Sequence, residues 1–169
     1  MTIYSPRRCE DNCPCCIPVI RPEIPIYPQT GVFADFYAIS PTDNPELIGA
    51  GEAVSFPRGY ASDFSAVSRL NDSSFNLSEP GAYLVMFQVA VEEGAQLELE
   101  LNGNPLAYTV AGRDTLSSQI TGMAVVTTAL DNSVLRVINP EQSQTEVTVI
   151  EYAGGEVPSS SHLIIVKLA

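Results

Sequence analysis

FNLSEPGAYLVMFQVAVE, residues 75–92, is the stretch on which the reading of the whole chain turns. From position 83 its odd-numbered side is Tyr83, Val85, Phe87, Val89 and Val91, all apolar, while its even-numbered side carries Leu84, Met86 and Ala90 with Gln88 as the one polar member. An antiparallel strand with one face on a core and the other in water alternates apolar with polar, so a strand apolar on both faces needs a cover on each. One sandwich core covers the odd face. A second copy of the chain is the expected cover for Leu84, Met86 and Gln88. The last stretch, HLIIVKLA, repeats the pattern, with Leu163 and Ile165 on one face and Ile164, Val166 and Leu168 on the other. Two such strands lying side by side present one oligomer seam; loops of the same chain lying over the second face are the alternative.

Outward from this strand the chain reads as short apolar runs divided by turn residues, with no helical period. Strands are expected at residues 31–40, near 53–56 and 66–75, at 82–91, 96–101, 106–110, 118–128, 134–138, 146–152 and 163–168, and residues 41–51 read as a loop. In residues 96–101, Leu97, Leu99 and Leu101 alternate with Gln96, Glu98 and Glu100, which places the leucines inward and the polar residues in water. Asn102-Gly103 is then a tight hairpin turn, and Asp131-Asn132 and Gly154-Gly155 are further turns. Eight to ten strands in about 140 residues predict an all-β antiparallel sandwich.

Residues 1–30 differ in kind. They hold six of the thirteen prolines, Pro6, Pro14, Pro18, Pro22, Pro25 and Pro28, and all four cysteines. Proline fixes its backbone torsion and lacks an amide donor, so IPVIRPEIPIYP is neither a helix nor a central strand and is expected to run extended. At about 3.1 Å per residue, residues 17–30 would reach roughly 40 Å. A solvated linker is polar, yet this one carries Ile17, Val19, Ile20, Ile24, Ile26 and Tyr27. Such an arm is expected to dock. The domain division read here is a connector over 1–30 and one domain over 31–169, a length that supports a substantial core.

The formal charge is -12. Arg7, Arg8 and Arg21 balance Glu10, Asp11 and Glu23 in the arm, so the excess belongs to residues 31–169. An acidic surface repels phosphate backbones and anionic lipid, which argues against nucleic-acid and membrane partners. No apolar run has the length of a membrane span, and MTIYSPRRCEDN lacks the apolar middle of a secretory signal, so synthesis in a cytoplasm without an export tag is expected.

Little in the sequence points to chemistry. Cys9, Cys13, Cys15 and Cys16 admit three readings: free thiols or a disulfide knot within one chain, a zinc site, and disulfides between chains. Zinc favours paired C-x2-C knuckles, and adjacent Cys15 and Cys16 do not easily chelate one ion together. Adjacent cysteines on an arm, with no partner in the body, suit bridges between subunits once the surroundings turn oxidising. His162 is the single histidine, and the neighbouring Ser159, Ser160 and Ser161 read as loop, so no catalytic group is assigned. Asp131 with Asn132, or Asp114, offers carboxylate and amide oxygens of the kind calcium takes, although such a pair is more commonly only a turn. No cofactor is expected.

Phe75, five residues, then Gly81-x-Tyr83-x-Val85-x-Phe87 resembles the central signature of the C1q and tumour-necrosis-factor-like jelly rolls. FADFYAISP, LVMFQVAV, LELELNGNPLAYTV, SSQITGMAVV and SSHLIIVKL look like the C-terminal domain of the collagen-like glycoproteins of the bacterial exosporium. The resemblance covers residues 31–169 and implies a ten-stranded jelly roll forming a homotrimer on a spore surface, made in the mother cell. Those glycoproteins have a Gly-X-Y stalk, which this chain lacks. Its cysteine-bearing arm is instead similar in architecture to the N-terminal connectors of endospore appendage subunits. The reading that follows is a structural, non-enzymatic subunit of a spore-surface fibre, linked head-to-tail through its arm. The alternative is a trimeric binding or adhesion module at a fibre tip or on the exosporium, anchored by its N-terminal arm; the expected partners are other copies of the chain and a spore-surface anchor or tip protein.

Overall fold

The computed structural model describes residues 31–44 and 47–169. Eleven strands run through them: β1 Phe33–Ile39, β2 Arg58–Ala61, β3 Val67–Asn71, β4 Ser74–Leu77, β5 Gly81–Val91, β6 Ala95–Leu101, β7 Asn104–Pro105, β8 Ala111–Arg113, β9 Ser118–Thr128, β10 Ser133–Ile138 and β11 Ser160–Lys167. One sheet has the order β2-β1-β11-β5-β9; the other has β3-β4-β10-β6-β7, with β8 also on β6. All the pairings are antiparallel. The residues expected to form the arm lie outside the described part.

The core lies between the two sheets. From β5 it takes Tyr83, Val85, Phe87, Val89 and Val91, the odd face, and from the opposite sheet Phe75, Leu77, Leu97, Leu99, Leu135 and Val137. Phe36 and Phe75 bring their ring centroids to 4.6 Å across the gap between sheets. Tyr83 is fully buried, and its hydroxyl donates to the Glu79 carbonyl at 2.7 Å, so the phenol enters the core with its polar end satisfied. Phe87 is paired with Gly122 on β9, where an added Cβ would sit 2.2 Å from the ring's Cζ. The ring occupies the space that any other residue would fill.

The expected Asn102-Gly103 turn is present, with φ of 54° and 75° at the two residues, the left-handed pair that a two-residue hairpin requires. Other segments depart from the reading of the sequence. Residues 66–75 are not one run: Asn71 Oδ1 accepts from the Ser73 amide and turns the chain, so β3 and β4 form a hairpin. Residues 106–110 form a 3-10 turn at Ala107–Thr109, closed by Thr109, whose hydroxyl accepts from the Leu99 amide and donates to the Leu106 carbonyl. Residues 53–56 and 146–152 make only isolated bridges, Ala53 to Ile138, Ile48 to Val147 and Val91 to Val149. Beside the last, the Glu93 carboxylate takes both the amide and the hydroxyl of Thr148, a side chain serving where a neighbouring strand would. β2, RGYA, has no apolar alternation and exists because β1 offers it a partner.

Glu98 and Glu100 also differ from expectation, being buried at 3% and 6% exposure instead of facing water. Arg136 donates to Glu100 at 3.0 Å. Glu98 lies opposite Ile138, the residue that Ala53 bridges from the other side, and its Oε1 has no hydrogen-bond partner among the described residues. Burial, helped by the carboxylates of Glu141 and Glu100, pushes the Glu98 carboxyl above the usual carboxylate range.

Candidate functional site

The outward face of the five-stranded sheet is built from cross-strand rows that the register fixes. One row runs Phe33, Val166, Leu84, Val125. The next runs Tyr60, Asp35, Ile164, Met86, Met123, and the third Arg58, Tyr37, His162, Gln88, Thr121. Side chains directly opposite across antiparallel strands share a face, so the first two rows make a nearly continuous apolar surface and the third makes its polar border. Met123 is 71% exposed and Val125 48%. Phe33 and Tyr60 meet edge to face at 6.2 Å and extend the surface to the β2 side. Exposed apolar area of this continuity marks an interaction surface.

Of the residues expected at a seam, Leu84, Met86, Gln88, Ile164 and Val166 stand together on this face, all of them partly exposed. Leu168 lies just past β11, which ends at Lys167, and is 55% exposed, its amide donating to the Ala82 carbonyl. Ala90, also on the even side of β5, is buried where the segment around Ile150 closes over it, the Ile150 amide donating to the Ala90 carbonyl. The reading of the sequence missed Phe33, Tyr60, Met123 and Val125. In QITGMAVVTT the outward residues mix polar with apolar, and only the pairing of Met123 with Met86 and Val125 with Leu84 turns them into one surface.

The polar border holds a group that the sequence did not reveal. His162 Nδ1 lies 2.9 Å from Asp35 Oδ1, its Nε2 lies 3.3 Å from Ser160 Oγ, and its ring stacks on Tyr37 at 5.7 Å and 24°. Ser160 is thus the first residue of β11 and not a loop residue, and Asp35 supplies an acid that orients the imidazole. His162 and Asp35 remain 36% and 42% exposed, open to water, and their contacts fix the ring over Tyr37. Beside them a cleft of about 490 Å³ is lined by Tyr37, Ile39, Val157, Pro158 and the Asp35–His162 pair.

Cys9, Cys13, Cys15 and Cys16, and the arm residues Ile17, Val19, Ile20, Ile24, Ile26 and Tyr27, lie outside the described residues. Among the described residues no three His, Cys, Asp or Glu side chains converge as metal ligands. Asn132 serves the turn it was expected to make, its Oδ1 accepting from Asn76 at 3.2 Å.

No family model matches the chain, and no curated protein matches it. Solved structures do match in fold. The globular domain of zebrafish complement 1qA protein superposes with a TM-score of 0.53 at 13% identity, over 80% of this chain and 94% of that one. Murine APRIL at pH 8.0 gives 0.53 at 13% identity, over 82% and 99%. Eiger TNF from S. frugiperda gives 0.55 at 14% identity, over 82% and 93%. With two antiparallel sheets in this order and these neighbours, the described chain is a jelly roll of the C1q/TNF type.

Proposed function

We propose that the chain is a structural subunit of a bacterial spore-surface fibre, trimerising through the outward face of the sheet β2-β1-β11-β5-β9 and linked to the next trimer by residues 1–30. The observation that carries the reading is the apolar surface of Leu84, Met86, Ile164, Val166, Met123 and Val125, which the described chain leaves partly or largely exposed. A second copy covers it, and the polar border around His162 and Gln88 sets the orientation of the partner. The fold supports a trimer in particular, since the resemblance to C1q and TNF-like jelly rolls implies one, and the wording of the strands supports the spore surface. The aliphatic arm supplies the connection between trimers, a head-to-tail contact that grows an open filament. Cys9, Cys13, Cys15 and Cys16 bridge the joined arms after assembly, when the surroundings become oxidising.

Sedimentation of the intact protein tests self-association: the expected species are trimers of the 18.1 kDa chain and multiples of them, and a lone 18.1 kDa species would overturn the reading. Negative-stain microscopy tests the fibre. Removal of residues 1–30 is expected to leave discrete trimers, and fibres that survive the removal would dispose of the connector. Electrophoresis in detergent with and without reductant tests the bridges. The cleft beside His162 favours a second reading, a terminal binding module, because its size suits a small ligand; discrete particles from the intact chain would select it.

A further inference from the structure

The two apolar rows of the outward face contain one charged residue. In the second row Asp35 stands between Tyr60 and Ile164, in register with Met86 and Met123. Its side chain is 42% exposed in the single chain. A second copy seated on the rows takes that carboxylate out of water, which opposes contact unless an opposite charge goes in with it.

Few groups are placed to supply that charge. Arg58, in the third row, is held by both carboxylate oxygens of Asp43. Strand β5 presents Met86 and Gln88 here and β9 presents Thr121 and Met123, so neither brings a charge. The segment before β11 brings Val157 and Pro158 to the adjoining cleft, and Glu156 beside them is an acid. That leaves His162, the only histidine of the chain, with Nδ1 at 2.9 Å from Asp35 Oδ1.

The surroundings of the ring suit its charged form. A neutral imidazole has one N–H and an imidazolium two, and here the second nitrogen, Nε2, lies 3.3 Å from Ser160 Oγ, an oxygen able to accept. Both N–H groups of the imidazolium therefore have an acceptor. The Tyr37 ring, stacked at 5.7 Å, also offers its face to a cation. Imidazoles change charge between about pH 5 and 8. We propose that His162 makes self-association through this face pH-dependent: with its second proton it neutralises Asp35, so that the pair is buried between copies, and without it the bare carboxylate opposes contact. The proposal rests on the seam reading and adds what regulates the seam. Association then takes up a proton, so it strengthens as pH falls through the imidazole range, and the gain is lost as pH rises.

Sedimentation of the full chain at about pH 8 and about pH 5.5 tests this across the imidazole range, with a reductant present so that no disulfide fixes the association. The quantity read is the concentration at which half of the protein is the 18.1 kDa species. For the wild type it is expected to be about tenfold lower at the acid pH, and for His162→Gln to agree within about twofold. Asp35→Asn reverses the sign, because the imidazolium is then the bare charge: its association is expected to weaken about threefold or more on acidification. The double variant is expected to be flat. Glu98, the carboxyl pushed above the usual range, lies in the other sheet and is common to all these chains, so the differences between them report the pair. Circular dichroism at both pH values checks that each variant is folded. A wild type that does not tighten on acidification, a His162→Gln chain that keeps the wild-type difference, or an Asp35→Asn chain that tightens as the wild type does, overturns the switch while the seam stands. Single chains at both pH values and every concentration overturn the seam instead.

Discussion

Glu98 holds a carboxyl at 3% exposure with Oε1 unpartnered, near Glu100 and Glu141. Its pKa in the fold is raised above the unfolded value of 4.5. The folded chain then keeps this proton to higher pH than the unfolded one, so this residue's contribution falls as pH rises from 4.5 through the raised value, and stays low above it. Glu98→Gln removes the charge and keeps the shape. It is expected to stabilise the domain by about 1 kcal/mol at pH 7 and by nothing at pH 4 or below, which urea unfolding at the two pH values measures; a loss of stability at pH 7 would contradict the account. Gly122→Ala acts in the opposite direction. A methyl group driven into the Phe87 ring is expected to cost about 2 kcal/mol, and Phe87→Leu in the same chain should recover part of it, which places the cause in that one contact.

Among the elements, those with strong alternation were legible in the sequence. β5, β6 and β9 have the expected span to within a residue or two, because their inward residues are uniformly apolar. The Asn102-Gly103 turn was legible because its conformation admits few residues. Gly103→Ala places a Cβ at a φ of 75° and is expected to lower stability by about 1 kcal/mol, measurable by thermal melting; an unchanged melt would mean the turn does not limit the hairpin. What was not legible depends on side chains acting for strands. Glu93 on Thr148 and Thr109 on Leu99 hold segments that the apolar pattern alone reads as strand. β2 was invisible for the converse reason, being held by its neighbour and not by its own residues. The candidate surface was legible on β5 and β11, where both faces are apolar, and not on β9, whose outward residues need the register to be grouped.

At the scale of the molecule, a face of apolar rows competes with a charge of -12 per chain. Copies repel one another through that charge, and salt screens the repulsion over a Debye length of about 8 Å at 0.15 M. Self-association is therefore expected to strengthen between low and moderate salt, as sedimentation at two ionic strengths would record; weakening with salt would point to ion pairs as the bonding contacts. Met123→Glu adds a carboxylate at the β9 border of the face without touching the core. Its expected effect is a dissociation constant at least about thirtyfold higher, near 2 kcal/mol, with an unchanged fold by circular dichroism. Retention of the wild-type mass by this variant would move the seam elsewhere.

The hairpin-like path of the sheet sets the two tips of the sandwich apart. Val32 lies against Lys167 at one tip, while Gly154 and Gly155 belong to the exposed segment before β11 at the other, where Ser159 meets Ser40. An epitope spliced between those glycines disturbs no ladder and rides at the tip remote from Gly31. Gold beads bound to it would mark each subunit's heading, and a micrograph of beads all displaced the same way would show a thread with a front and a back.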